Sequence, residues 1–198
     1  MSSIEGHVNM RAYFRDRVLA ALRRQGIKTH ERTEFYLVNL LAEFAVHDDI
    51  EEHRHTLVEL FAKAMEAEGP ERLRRFKSMG DRALYRTGFF AENLTGRGIT
   101  RDYVMTMGER AYSAARQIAH RVKTPREAEF AETYGELAKR FGAFVRVLDD
   151  IRESTALRSP QDIVKLYERW RLTRSPIAAE RLREHGLFPQ ASKKKQLH

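Results

Sequence analysis

A six-residue phrase nearly repeats in this chain, and each copy puts a glycine where a helix is expected. Ser78-Met79-Gly80-Asp81-Arg82-Ala83 returns 28 residues later as Thr106-Met107-Gly108-Glu109-Arg110-Ala111, and a tyrosine follows each copy, at Tyr85 and Tyr112. Around the second copy, Val104, Met107, Gly108, Ala111, Ala115, Ile118 and Val122 share one helical face. Gly80, Ala83, Thr87, Gly88 and Ala91 make a similar small-residue face around the first. Glycine inside a helix costs roughly 1 kcal/mol relative to alanine, so two matched glycines imply close backbone approach, a helix start or a kink. The pattern predicts two helices that face each other through these residues. Arg82 and Arg110 then leave from corresponding points, and Asp81 and Glu109 are placed to pair with arginines. A functional use competes with this packing use: the guanidiniums of Arg82 and Arg110 and the hydroxyls of Tyr85 and Tyr112 suit an anionic ligand.

Helical periodicity and helix punctuation run through the rest of the chain. Phe14, Val18, Leu19 and Leu22 line one face of a first helix over 8–24, which Gly26 ends. A second helix over 33–47, capped by Thr33, is apolar almost all round, which predicts that Phe35 to Val46 lies at the centre of the fold. A third covers 50–67. Gly69-Pro70 then opens a short helix over 71–79, and the Gly80 region starts, or kinks into, another that runs to Leu94. Thr124-Pro125 with Glu127 has the form of a capping box and opens a helix to Ile151. Ser159-Pro160 and Ser175-Pro176 open two more. No strand pattern is present. The expected fold is all-α, a single multi-helix bundle of about seven to nine helices with one central, largely buried helix. It divides into a bundle over 1–153, a C-terminal helical hairpin over 154–188 docked on it, and a disordered basic tail over 189–198.

The absence of cysteine excludes disulfides, thiolate metal ligands, iron–sulfur clusters and cysteine nucleophiles. Met1 to Arg11 lacks the apolar core of a signal peptide, and no apolar run reaches the length of a membrane span. A cytoplasmic location is the expectation. The net charge of +8 favours anionic partners such as nucleic acid, a nucleotide or an acidic protein.

Asn39 and Glu43 stand one turn apart on the helix expected to be most buried, with His47 on nearly the same line. A buried carboxylate needs a partner. An arginine from another helix would serve; alternatively Glu43 and His47 are metal ligands and Asn39 lines a ligand pocket. Glu52 and His55 have Glu-x-x-His spacing, but the second such pair that a di-iron bundle requires is missing. Arg72, Arg74, Arg75 and Lys77 surround Phe76, and Arg169, Arg171 and Arg174 surround Trp170; such mixtures bind nucleic acid when the rings are exposed and cover the core when they are not. There is no phosphate loop, dinucleotide fingerprint, zinc-protease motif or nucleophile elbow, and no helix-turn-helix can be placed near the N-terminus. No catalytic residue is identified, and no cofactor is expected beyond a metal at Glu43 and His47.

The runs Glu34 to Phe44 and Met79 to Leu94 resemble a set of small all-helical bacterial proteins of uncharacterised function. The resemblance implies an all-helical fold and transfers no activity. Together these features suggest a non-enzymatic cytoplasmic adaptor or regulator that acts through protein contacts or an anionic ligand, with homo-oligomerisation open to it. A nucleic-acid-binding protein and a metal- or ligand-dependent enzyme centred on Glu43 are the alternatives.

Overall fold

Glycine ends two of the helices by entering the left-handed region, which costs it nothing because it lacks Cβ. Gly26 has φ 63° and Gly186 has φ 78°. In both places the following residue reaches back to the last turn, Ile27 N–H to the Leu22 carbonyl and Leu187 N–H to the Leu182 carbonyl. Proline opens three others at their first residue, where its missing N–H is not needed. The structure, a computed structural model, describes residues 2–46, 56–90, 100–121, 125–155, 160–173 and 176–188.

Among these residues there are nine helices and no strands: α1 (Ser2–Arg24), α2 (Glu31–Val46), α3 (Leu57–Glu66), α4 (Gly69–Phe89), α5 (Arg101–Arg121), α6 (Pro125–Lys139), α7 (Phe141–Thr155), α8 (Pro160–Thr173) and α9 (Pro176–Glu184). The fold is an all-α multi-helix bundle. None of these helices is long and apolar enough to cross a membrane.

The central helix is α4 and not α2. Every residue from Met79 to Tyr85 is buried, Asp81 and Arg82 included. α4 packs on α3, α5 and α7, most extensively on α5. Its small residues explain the position, because Gly80, Ala83 and Gly88 let neighbours approach closely: a Cβ on Gly80 would sit 2.8 Å from the Tyr112 ring of α5, and one on Gly88 would collide with Leu148 of α7. α2 buries Tyr36, Leu37, Val38, Leu40, Leu41, Ala42 and Ala45, but Phe35 is 60% exposed and Glu43 is exposed. Its apolar composition hid an outward edge.

Four boundaries also differ from the sequence expectation. α4 runs unbroken through Gly80, since a glycine that seats a neighbouring ring need not interrupt the hydrogen-bond ladder. α3 starts at a capping box: the Thr56 hydroxyl accepts from the Glu59 N–H, and the Glu59 carboxylate accepts from the Thr56 N–H. Thr33 does not cap α2; it is fully buried inside that helix and donates to Glu136 Oε2 of α6 at 2.7 Å. The helix expected over 125–151 divides at Arg140, whose guanidinium turns back to the Lys28 carbonyl and to Glu136. α8 packs on α2 and on α9, and the end of α9 is tied to α1 by a 2.6 Å hydrogen bond from Arg17 Nη2 to the His185 carbonyl.

Candidate functional site

The two copies of the repeated phrase lie on α4 and α5 and do face each other. The Tyr112 ring fills the space beside Gly80, and Ala83 Cβ lies 2.8 Å from where a Cβ on Gly108 would be. The same Gly108 position is closed from the other side by the Phe141 ring of α7, with Cε2 at 2.6 Å from that point. Close approach of two helices through small residues is the packing that the glycines predict.

This approach builds a buried polar centre. Asp81 Oδ1 accepts hydrogen bonds from the Tyr36 hydroxyl at 2.5 Å and the Tyr112 hydroxyl at 2.7 Å. Its Oδ2 accepts from Lys77 Nζ at 2.7 Å. Lys77 also lies over the Tyr36 ring, 5.3 Å from its centroid. Tyr134 of α6 stacks on Tyr112 and meets Tyr36 edge-on, at 6.3 and 6.0 Å between centroids. Asp81 beside it holds the Lys77 ammonium well above the ordinary lysine range, and exposed Glu43 adds to that field. Burial first, and then the charge of Asp81, push the Tyr36 and Tyr112 hydroxyls well above the ordinary tyrosine value. Both carboxylate oxygens have partners, so the chemistry of this centre is to lock α2, α4 and α5 together. The expected arginine partner of Asp81 is replaced by Lys77, one turn earlier on the same helix.

The predicted ligand residues are dispersed. Tyr112 belongs to the Asp81 centre. Tyr85 is 1% exposed and stacks on Phe44 of α2 with centroids 4.2 Å apart, next to Phe89 and Phe90. Arg82 is buried, whereas Arg110 is exposed. Asn39 is half-buried with its amide oxygen inside and unpartnered among the described residues. Glu43 is exposed, contrary to the burial expected of it, and His47 lies outside the described residues, as do Glu52 and His55. Among the described residues no three His, Asp or Glu side chains come together as a metal site. In the two basic runs the aromatic rings are core: Phe76 is 2% and Trp170 6% exposed. Arg74 and Arg75 both bond Glu71, and Arg72 lies over the Phe76 ring.

Arg110 instead opens onto a surface cleft between α5 and α6, with a volume of about 370 Å³. Three cations line it, Arg110, Arg116 and Lys139, with one acid, Glu109, and Ser113. Gly135 and Ala138 complete the wall. Gly135 has a specific role here: the Arg116 side chain lies across α6 where a Cβ would be, with Cδ and Nε 3.0 Å from that point. Arg116 is otherwise held only loosely, 3.8 Å from Glu132, which also stands 3.7 Å from His120. Of this cleft the repeated phrase marks Glu109 and Arg110. Arg116 was readable in part, because Glu109, Ser113 and Arg116 follow Arg110's side of α5 at helical spacing; Gly135 and Lys139 come from α6 and carried no local signal. Comparison with family models, with curated proteins and with solved structures gives no match.

Proposed function

We propose that this chain is a non-enzymatic cytoplasmic binding protein, an adaptor or regulator, whose α5–α6 cleft receives an anionic group of its partner. The supporting observation is the composition and construction of that cleft. Arg110, Arg116 and Lys139 line one cleft together with Ser113 and a single acid, Glu109. Guanidinium groups favour carboxylate and phosphate oxygens through paired N–H donors. The shallow, solvent-open site suits a group carried on a larger molecule, and the overall charge of +8 steers such a partner toward it. Nucleic acid is the less favoured partner, because the aromatic rings that would stack on bases, Phe76 and Trp170, are in the core.

Sodium pyrophosphate serves as the probe. In a two-dimensional amide spectrum, titration at low salt should move the Ser113 and Gly135 resonances, with an affinity that weakens as salt is raised. The triple variant Arg110→Gln, Arg116→Gln, Lys139→Gln should abolish the shifts while leaving the remaining spectrum in place. Shifts confined to other regions, or unchanged in the triple variant, would refute the assignment. Random-sequence DNA in the same assay separates the readings: binding that survives the triple variant would favour a nucleic-acid surface elsewhere.

A further inference from the structure

A glycine inside a helix lowers stability relative to alanine, so each one calls for a reason. At Gly80, Gly88 and Gly108 the reason is the core. A Cβ there would meet Tyr112, Leu148, or Phe141 and Ala83, and all four are buried. Gly135 of α6 is different. It is half-buried and lines the α5–α6 cleft. The three atoms nearest to its Cβ position all belong to one exposed side chain, that of Arg116 on α5: Cδ and Nε at 3.0 Å and Cζ at 3.3 Å. The outer half of Arg116 thus lies along α6 where any other residue would put a carbon. At its tip, Nη2 stops 3.8 Å from Glu132 Oε1, beyond hydrogen-bond distance. The stem of Arg116 is seated on α6, and its tip is not committed to Glu132.

We infer that Gly135 is a positioning residue for the α5–α6 cleft: the gap it leaves in α6 seats the Arg116 side chain in the pose that an anionic group meets. The inference rests on the anion-binding role proposed above for that cleft, and adds how its affinity is set. An arginine on an open surface samples many rotamers, and fixing it on binding costs affinity. A gap under Cδ, Nε and Cζ removes part of that cost before the ligand arrives. It also sets how close the guanidinium lies to α6, because a Cβ at position 135 would push the arm away by a few tenths of an ångström. The arm can give way easily, since the Arg116 side chain is 48% exposed. A side chain at position 135 therefore alters the cleft and not the packing of the helices. Stability and binding then respond in opposite directions. Alanine at 135 suits the helix better and moves one of the three cations of the cleft. At Gly80, Gly88 or Gly108 the same change acts on the core instead.

The test is a titration of the full chain with sodium pyrophosphate at low salt, followed at the Ser113 amide, with melting temperatures measured alongside. Gly135→Ala should weaken binding about two- to tenfold while its melting temperature stays level or rises. Gly135→Leu, which fills more of the gap, should weaken binding further. Arg116→Ala removes all three atoms that the gap seats. In that background Gly135→Ala should change the affinity by less than about twofold, because the arm it positions is gone. Parent-like binding by Gly135→Ala, with Arg110→Gln still weakened, overturns the inference and leaves the cleft as the anion site. A parent that does not bind pyrophosphate, or binds it equally well as Arg110→Gln, removes the anion-binding role of the cleft and this inference with it. An equal loss from Gly135→Ala with and without Arg116 shows that the methyl obstructs the ligand directly, and overturns the positioning role. A lower melting temperature in Gly135→Ala also overturns it, since the glycine would then serve packing. The alanine arms stand by themselves if Gly135→Leu does not fold.

Discussion

Replacing Asp81 by alanine tests whether the buried polar centre holds the bundle together. Asp81 accepts from two buried tyrosine hydroxyls and from one lysine. Without the carboxylate, the buried Tyr36 and Tyr112 lose a charged acceptor. Both hydroxyl donors are then left without this acceptor. Each orphaned buried donor costs about 1–3 kcal/mol. The Lys77 side chain is 36% exposed and can turn to water, so its pair adds at most about 1 kcal/mol. The expected loss is therefore about 3–5 kcal/mol, a large share of the 5–15 kcal/mol typical of a domain. Urea unfolding should show it as a midpoint lower by about 1–2 M with little change in slope.

The decisive measurement is a cycle. If the cost comes from orphaned hydroxyls, Tyr36→Phe and Tyr112→Phe should each destabilise the parent protein and restore part of the stability of Asp81→Ala, because removing both partners of a buried bond costs less than removing one. Strict additivity of the Tyr→Phe and Asp81→Ala effects, or an Asp81→Ala cost below about 1 kcal/mol, would refute the reasoning.

Gly80→Ala and Gly108→Ala should each lower the melting temperature, although alanine favours helix by about 1 kcal/mol, because the new methyl meets Tyr112 in one case and Ala83 and Phe141 in the other, and overpacking costs about 1–3 kcal/mol; a rise in melting temperature would show that the helices do not approach this closely. Stability should also fall in alkali. Tyr36 and Tyr112 have folded-state values raised above 10.0 and Lys77 one raised above 10.5, so their contribution is complete below about pH 10 and is lost as pH rises through the folded values. Unfolding free energies measured from about pH 8 to 11 should decline at the alkaline end, less steeply in Tyr36→Phe and Tyr112→Phe; a parent curve no steeper than theirs would contradict the burial of these hydroxyls.

What was legible in the sequence was mostly local. Gly26, Gly186 and the Pro125, Pro160 and Pro176 signals mark helix ends because caps involve only neighbouring residues. The small faces around Gly80 and Gly108 announced a close helix pair because glycine inside a helix needs a reason. The centre of the fold was misread from composition. α2 is the more apolar helix, yet centrality went to α4, whose buried Asp81 and Arg82 count as polar in any hydropathy reading. Lys77 and Asp81, at i and i+4, could have been paired from the sequence. The Tyr36 partner, 45 residues away on α2, could not, because its register depends on how α2 crosses α4 and α5. The cleft was legible only at Glu109 and Arg110 for the same reason, since Gly135 and Lys139 come from another helix.

The repeat itself explains why its two copies ended in different environments. Tyrosine follows Gly108 by four residues but follows Gly80 by five, because Leu84 is inserted. Four residues keep Gly108 and Tyr112 on one face, so Tyr112 points at α4, fills the space beside Gly80 and brings its hydroxyl to Asp81. One further residue rotates a side chain by about 100°. Tyr85 therefore turns away from α5 and stacks on Phe44 of α2, and Ala83 and Phe141 take the place beside Gly108 that a reciprocal tyrosine would have filled. Asp81 thus gains a hydroxyl donor across the interface. Glu109, at the matching position, gains none from Tyr85 and is free to face the surface with Arg110, where it becomes the one acid in a basic cleft. One inserted leucine turns two similar helical phrases into a structural lock on one side and a candidate binding surface on the other. Deleting Leu84 would not restore symmetry, since it would rotate Gly88 away from Leu148 and break the contact of α4 with α7.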